Sequence, residues 1–119
     1  MREPEREATR LTAAGTPSLD QIFDLLSDRR RRYVLYCLYG SQDGVATVDD
    51  VAEYVLTLEG STVTAETRQR LMTTLGHIHL PRLEDAGIVE YDTRSNTVRY
   101  WGQPSLEEWL EHAYHKELS

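Results

Sequence analysis

The sequence predicts an α+β fold, mainly helical with one β-hairpin. Apolar residues recur at three- and four-residue spacing in five segments, most of them opened by a residue suited to capping a helix. One later segment instead alternates with period two on either side of a polar turn. The 119 residues are 39% hydrophobic and 28% charged, which suits one soluble domain of ordinary size. Residues 1–17 carry no apolar period and are expected to be a disordered tail; residues 18–119 form the domain.

Order is expected from Ser18, which with Gln21 makes the S-x-x-Q of a capping box. Leu19, Ile22, Phe23 and Leu26 follow on one stripe of a short helix. Ser27 is expected to cap a second helix over residues 28–39, stopped by Gly40. Its inner stripe is Val34, Cys37 and Leu38, flanked by Tyr33 and Tyr36. Residues 40–46 read as a polar loop, and Thr47 with Asp50 opens a third helix whose inner stripe is Val51, Ala52, Val55 and Leu58. Thr64 opens a long helical run to Ala86, with Leu71, Leu75 and Ile78 as its seam and Gly87 as its C-cap. Pro81 lies inside that run and predicts a bend near Leu80. The bend also offers a way to turn Leu80 inward, since a straight helix would leave it on the outer face.

The hairpin follows. Residues 88–92 and 97–101 flank the turn Thr93, Arg94, Ser95 and Asn96. Pairing across that turn sets Tyr91 against Val98, Glu90 against Arg99 and Val89 against Tyr100. One face is then apolar and the other carries an opposite-charge pair, both of which a slip by one residue would destroy. Pro104 starts a last helix, with Ser105 and Glu108 as its expected capping box and Leu106, Trp109, Leu110 and Ala113 on one stripe.

Helix, helix, helix, long helix, hairpin, helix is the element order of a winged helix-turn-helix domain with an extra C-terminal helix. The run HLPRLEDAGIV, residues 79–89, resembles the H-L-x-x-L-x-x-A-G signature of ArsR-like winged helix regulators, where recognition helix meets wing. The stretch LSDRRRRYVLYCL, residues 26–38, is similar to their opening helices, and the whole is similar to a haloarchaeal family of small winged-helix domains with H-L-P-x-L. The resemblance spans about residues 18–116 and implies a DNA-binding transcriptional regulator.

With Leu71 and Leu75 inward, the long helix turns Glu66, Gln69, Arg70, Thr73 and His77 outward. Arg and Gln bond base edges bidentately, while Thr and His reach edges or phosphates. The expected DNA-contacting set is Arg68, Gln69, Arg70, Thr73 and His77, joined by Arg94 and Asn96 from the wing tip. The plainer reading is an ordinary polar helix face and a turn chosen for its geometry. Arg29–Arg32, the one basic run, has as many acidic as basic residues around it between Ser18 and Thr47, and is expected to make scaffold ion pairs. Leu106, Trp109, Leu110 and Tyr114 on the last helix are expected to form a homodimer face, setting two reading helices one DNA turn apart. The alternative packs Trp109 against Phe23 in its own subunit.

Acidic residues number 20 against 13 basic ones, a net charge of -7, and Lys116 is the sole lysine. Such a surface is expected of a halophilic archaeon, since carboxylates hold water and cations; a GC-rich genome would explain only the arginine bias. The charged N-terminus has no apolar run typical of a signal peptide, and no stretch approaches the ~20 apolar residues of a membrane span, so a cytoplasmic protein is expected. The lone Cys37 permits no internal disulfide and no cysteine-based zinc site. His112 and His115 are helical neighbours that could share a metal across a dimer, but read as surface histidines; no metal or other cofactor is expected. No nucleophile-base set, phosphate loop or carboxylate cleft is recognisable, so no enzyme is expected. The alternative to a regulator reading double-stranded DNA is a protein-interaction module on the same scaffold.

Overall fold

The computed structural model describes residues 16–118. The expected disordered tail therefore lies outside the described residues, apart from an exposed Thr16 and a buried Pro17. Helix α1 spans Leu19–Leu26 with the Ser18–Gln21 capping box formed in both directions. Helix α2 spans Arg29–Tyr39 and is capped by Asp28, whose carboxylate accepts from the Arg31 N–H, rather than by Ser27. Ser27 instead closes α1, its N–H donating to the Asp24 carbonyl.

A short 3₁₀ turn over Gln42–Gly44 leads into strand β1, Val45–Thr47, where the sequence suggested only a polar loop. Gly44 makes the turn possible: its φ is +69°, and a Cβ there would stand 3.0 Å from the Tyr100 carbonyl. Helix α3, Val48–Leu58, starts at Thr47, whose hydroxyl accepts from the Asp50 N–H. Helix α4, Ala65–Thr74, starts at Thr64 with a reciprocal bond pair to Thr67.

The long helical run continues past α4 through a π-turn, Leu75–His79, into helix α5, Leu80–Asp85. Within it the Leu80 N–H donates to the Leu75 carbonyl, one residue further back than in an α-helix. That extra residue rotates everything after it by roughly 100°. Ile78, expected in the inner seam, is consequently 53% exposed, while Leu80 is fully buried at 0%. Pro81, with no N–H to lose, is the second residue after the turn. Gly87, at φ +77°, ends the helix in a Schellman motif: its N–H donates to Glu84 and that of Ile88 to Leu83.

Strands β2, Val89–Asp92, and β3, Thr97–Tyr100, pair antiparallel with Val89 opposite Tyr100, Glu90 opposite Arg99 and Tyr91 opposite Val98. Strand β1 adds to the outer side of β3, giving the sheet order β1-β3-β2. The mainly helical α+β architecture expected from the sequence is thus present, with one more strand.

Helix α6, Pro104–Leu118, has proline as its first residue, so Ser105 falls inside the helix and does not cap it. Glu107 accepts a 2.7 Å hydrogen bond from the Tyr100 hydroxyl. Leu106 and Leu110 of α6 join Ile22, Leu35, Leu38, Val55, Leu75 and Leu83 in a common core. The far end of α6 is fixed by a two-bond pair from Arg32 to Glu117 at 2.9 and 2.8 Å, with the Tyr36 hydroxyl on the same carboxylate. No helix among the described residues is long and apolar enough to cross a membrane.

Candidate nucleic-acid interface

Because Leu71 and Leu75 are buried, α4 turns Gln69, Arg70 and Thr73 to solvent, and His77 in the π-turn is exposed with them. The Thr73 hydroxyl donates back to the Gln69 carbonyl. The hairpin lies along the flank of this strip. The Tyr91 hydroxyl sits 3.5 Å from where a Cβ on Gly76 would be, and the Tyr91 N–H donates to Glu84 of α5. An alanine at position 76 would meet that hydroxyl in ordinary van der Waals contact.

The turn of the hairpin is anchored elsewhere. Asn96, in the left-handed region at φ +58°, donates its side-chain amide to Asp49, and its carbonyl accepts from the Val48 N–H. Both partners belong to the first turn of α3, so Asn96 works as a strut between the hairpin and α3 rather than as a free donor. Arg94 is exposed, and its N–H donates to the Asp92 carboxylate. A cavity of about 450 Å³ beside Arg94 is also lined by Glu84, Glu90 and Asp92.

Carboxylates also attend the two helix arginines. Arg70 bonds Glu66 at 2.9 Å, one turn back on the same helix. That pair is 69% and 81% exposed, so it contributes little to stability and releases Arg70 easily. Arg68 differs: it is half-buried, 3.5 Å from Glu53 of α3, and its Nε finds no acceptor among the described residues. Arg68 faces the scaffold more than the solvent.

Three of the four arginines of α2 are structural. Arg30 bonds Glu59 at 2.7 and 3.1 Å, and Arg32 bonds Glu117. Arg31 is buried at 6% exposure; it donates to the Leu25 and Asp24 carbonyls at the end of α1 and stands 3.5 Å from Nδ1 of His79. Burial, then the Arg31 charge beside it, hold the His79 imidazole below its ordinary value, against an opposing pull from Asp28. Sequence reasoning treated the four arginines as one patch and missed that the third one points inward.

The four residues expected at a dimer face do not form one surface. Leu106 and Leu110 are fully buried within the chain itself. Trp109 and Tyr114 keep 38% and 42% exposure but lie about 140° apart around α6 at roughly 100° per residue. Trp109 packs edge-on against Phe23 of α1 at 5.2 Å, and Tyr114 packs edge-on against Tyr36 of α2 at 5.1 Å. Leu19 and Phe23, both about half exposed, extend the Trp109 side. Burial pushes the Cys37 thiol up, in keeping with a small packing residue. Among the described residues no three His, Cys, Asp or Glu side chains gather as a metal site.

The fold and site define a small α+β domain in which a hairpin flanks an exposed polar helix face. The profile of a family described as a domain of unknown function, DUF7344, matches residues 23–99, from the middle of α1 to the end of the hairpin, and the chain belongs to that family. No curated protein and no solved structure matches it.

Proposed function

We propose that this is a cytoplasmic, non-enzymatic transcriptional regulator that reads double-stranded DNA as a winged helix. The carrying observation is the exposed strip Gln69, Arg70, Thr73 and His77, flanked by the hairpin through Tyr91. The order helix, strand, helix, helix, hairpin, with the sheet order β1-β3-β2, supports the likeness to ArsR-like regulators. In this reading Arg70 and Gln69 meet base edges in the major groove and Arg94 meets the backbone. Arg68 and Asn96 hold the reading elements in place. The acidic surface is a weaker objection in concentrated salt, where counterion release adds little to binding and base contacts and shape must carry it. We further propose a homodimer through Leu19, Phe23 and Trp109, with Tyr114 left out; sedimentation of Trp109→Ser at monomer mass against a dimeric parent tests it, and a monomeric parent would refute it.

A second reading, a protein-interaction module on the same scaffold, is favoured by the carboxylates beside Arg68, Arg70 and Arg94. Selection of bound fragments from genomic DNA in molar KCl separates the two. An enriched sequence motif supports the regulator; no enrichment together with a stable protein partner supports the module.

A further inference from the structure

A second recess, sharing no residue with the exposed strip, lies between α2, α3 and α6. It is a cavity of about 520 Å³ whose lining includes Tyr36, Tyr39, Tyr54 and Tyr114, four of the seven tyrosines in the chain. Helical spacing brings Tyr36 and Tyr39 to one side of α2, and α6 lays Tyr114 and Glu111 across from them. The Tyr36 and Tyr114 rings stand at 84° with centroids 5.1 Å apart, so they make a corner of two aromatic walls. The volume falls within the roughly 300–1,000 Å³ usual for small-molecule sites.

The chemistry of the lining selects among ligands. Glu111 is the one carboxylate in it, and no arginine or lysine lines it; His115 is its one basic side chain. The Tyr39 hydroxyl donates to Glu111 and the Tyr36 hydroxyl to Glu117 at 2.9 Å. Arg32, the arginine nearest Tyr36, is already bonded to Glu117. Both phenols therefore give their protons to carboxylates, which leaves the ring faces richer in electrons and the hydroxyls poor donors toward a ligand. In keeping with this, the bond to Glu111 pushes the Tyr39 phenol up to about 12, and burial followed by the Glu117 bond raises that of Tyr36. Electron-rich faces set at right angles, backed by carboxylates, attract a cation too bulky to keep a tight water shell.

We propose that the cavity bounded by Tyr36, Tyr39, Tyr54 and Tyr114 is a binding site for a small organic cation of the quaternary-ammonium class. The site is independent of DNA reading, and Glu111 and Tyr114 lie beyond the segment shared with the family. The test is calorimetric titration of the full chain with choline and with its uncharged isostere, 3,3-dimethylbutan-1-ol. Choline should bind saturably and the neutral alcohol on the order of tenfold more weakly. Tyr114→Leu and Glu111→Gln, both at exposed positions and checked for folding by circular dichroism, should each weaken choline by a similar factor. Tyr91→Leu, outside the cavity, should leave it unchanged. Absence of saturable choline binding, equal binding of the alcohol, or indifference to both cavity variants would overturn the proposal.

Discussion

Truncating Leu80 to alanine removes three carbons from a side chain with 0% exposure, where the π-turn has rotated it into the core. Lost transfer free energy at about 0.8 kcal/mol per carbon gives roughly 2.4 kcal/mol, and the cavity left behind brings the total to about 3–5 kcal/mol. Ile78→Ala, at 53% exposure, should cost no more than about 1 kcal/mol. For a domain near 100 residues each kcal/mol moves the midpoint by about 4–8 °C, so the two variants should melt at least 8 °C apart. Urea and thermal unfolding of both variants, followed by circular dichroism in the same salt, measures the difference. An uninterrupted α-helix predicts the reverse ranking, with Ile78 inward and Leu80 outward. Equal costs, or a larger cost at Ile78, would refute the π-turn.

Arg31→Met keeps much of the packing but leaves the Leu25 and Asp24 carbonyls without their charged donor. Two charge-assisted bonds at about 1.5–3 kcal/mol each predict a loss of roughly 3–6 kcal/mol in urea unfolding, and a loss below about 1 kcal/mol would contradict the role assigned to Arg31. His79 gives a pH dependence: its folded-state value lies below the ordinary 6.5, so as pH falls the unfolded chain takes the proton first. Its contribution is therefore intact above about pH 7 and lost as pH drops through about 6.5 and below. The lowered carboxylates of Glu117 and Asp28 act only from their ordinary 4.5 and 3.8 downward, so the interval from about pH 7 to about pH 5 isolates the histidine. The urea midpoint of the parent should fall across that interval and that of His79→Gln should stay flatter; parallel profiles would count against it.

The register of the hairpin was legible to the residue, though each strand is one residue shorter than expected, because two independent patterns, the apolar face and the Glu90–Arg99 pair, agree. The caps at Ser18, Thr47 and Thr64 were legible for a local reason, since each bonds an N–H three residues on. Strand β1 was not, because three residues are too few to show a period and its partner lies some fifty residues later in β3. The π-turn left a trace in the sequence: Leu80 on the wrong face beside a proline, a conflict that one inserted residue resolves. Arg31 left one too, since Arg31, Val34, Leu35 and Leu38 fall at i, i+3, i+4 and i+7 and all four are buried. The charge of its neighbours hid it. Of the candidate interface, the helix strip was readable from angular arithmetic alone. The Glu53 partner of Arg68 and the tyrosine cavity were not, because they join separate elements of the chain.

Fluorescence anisotropy of a labelled duplex carrying the selected motif, in molar KCl, tests DNA reading most directly. The parent chain should prefer that duplex to a scrambled one, and Arg70→Ala and Gln69→Ala should each lose about 1–3 kcal/mol of that preference, since each removes a contact to a base edge. Glu66→Ala, which frees Arg70 of its carboxylate, should tighten binding. A chain that holds no duplex above the scrambled control, or whose preference is untouched by both substitutions, would contradict the account.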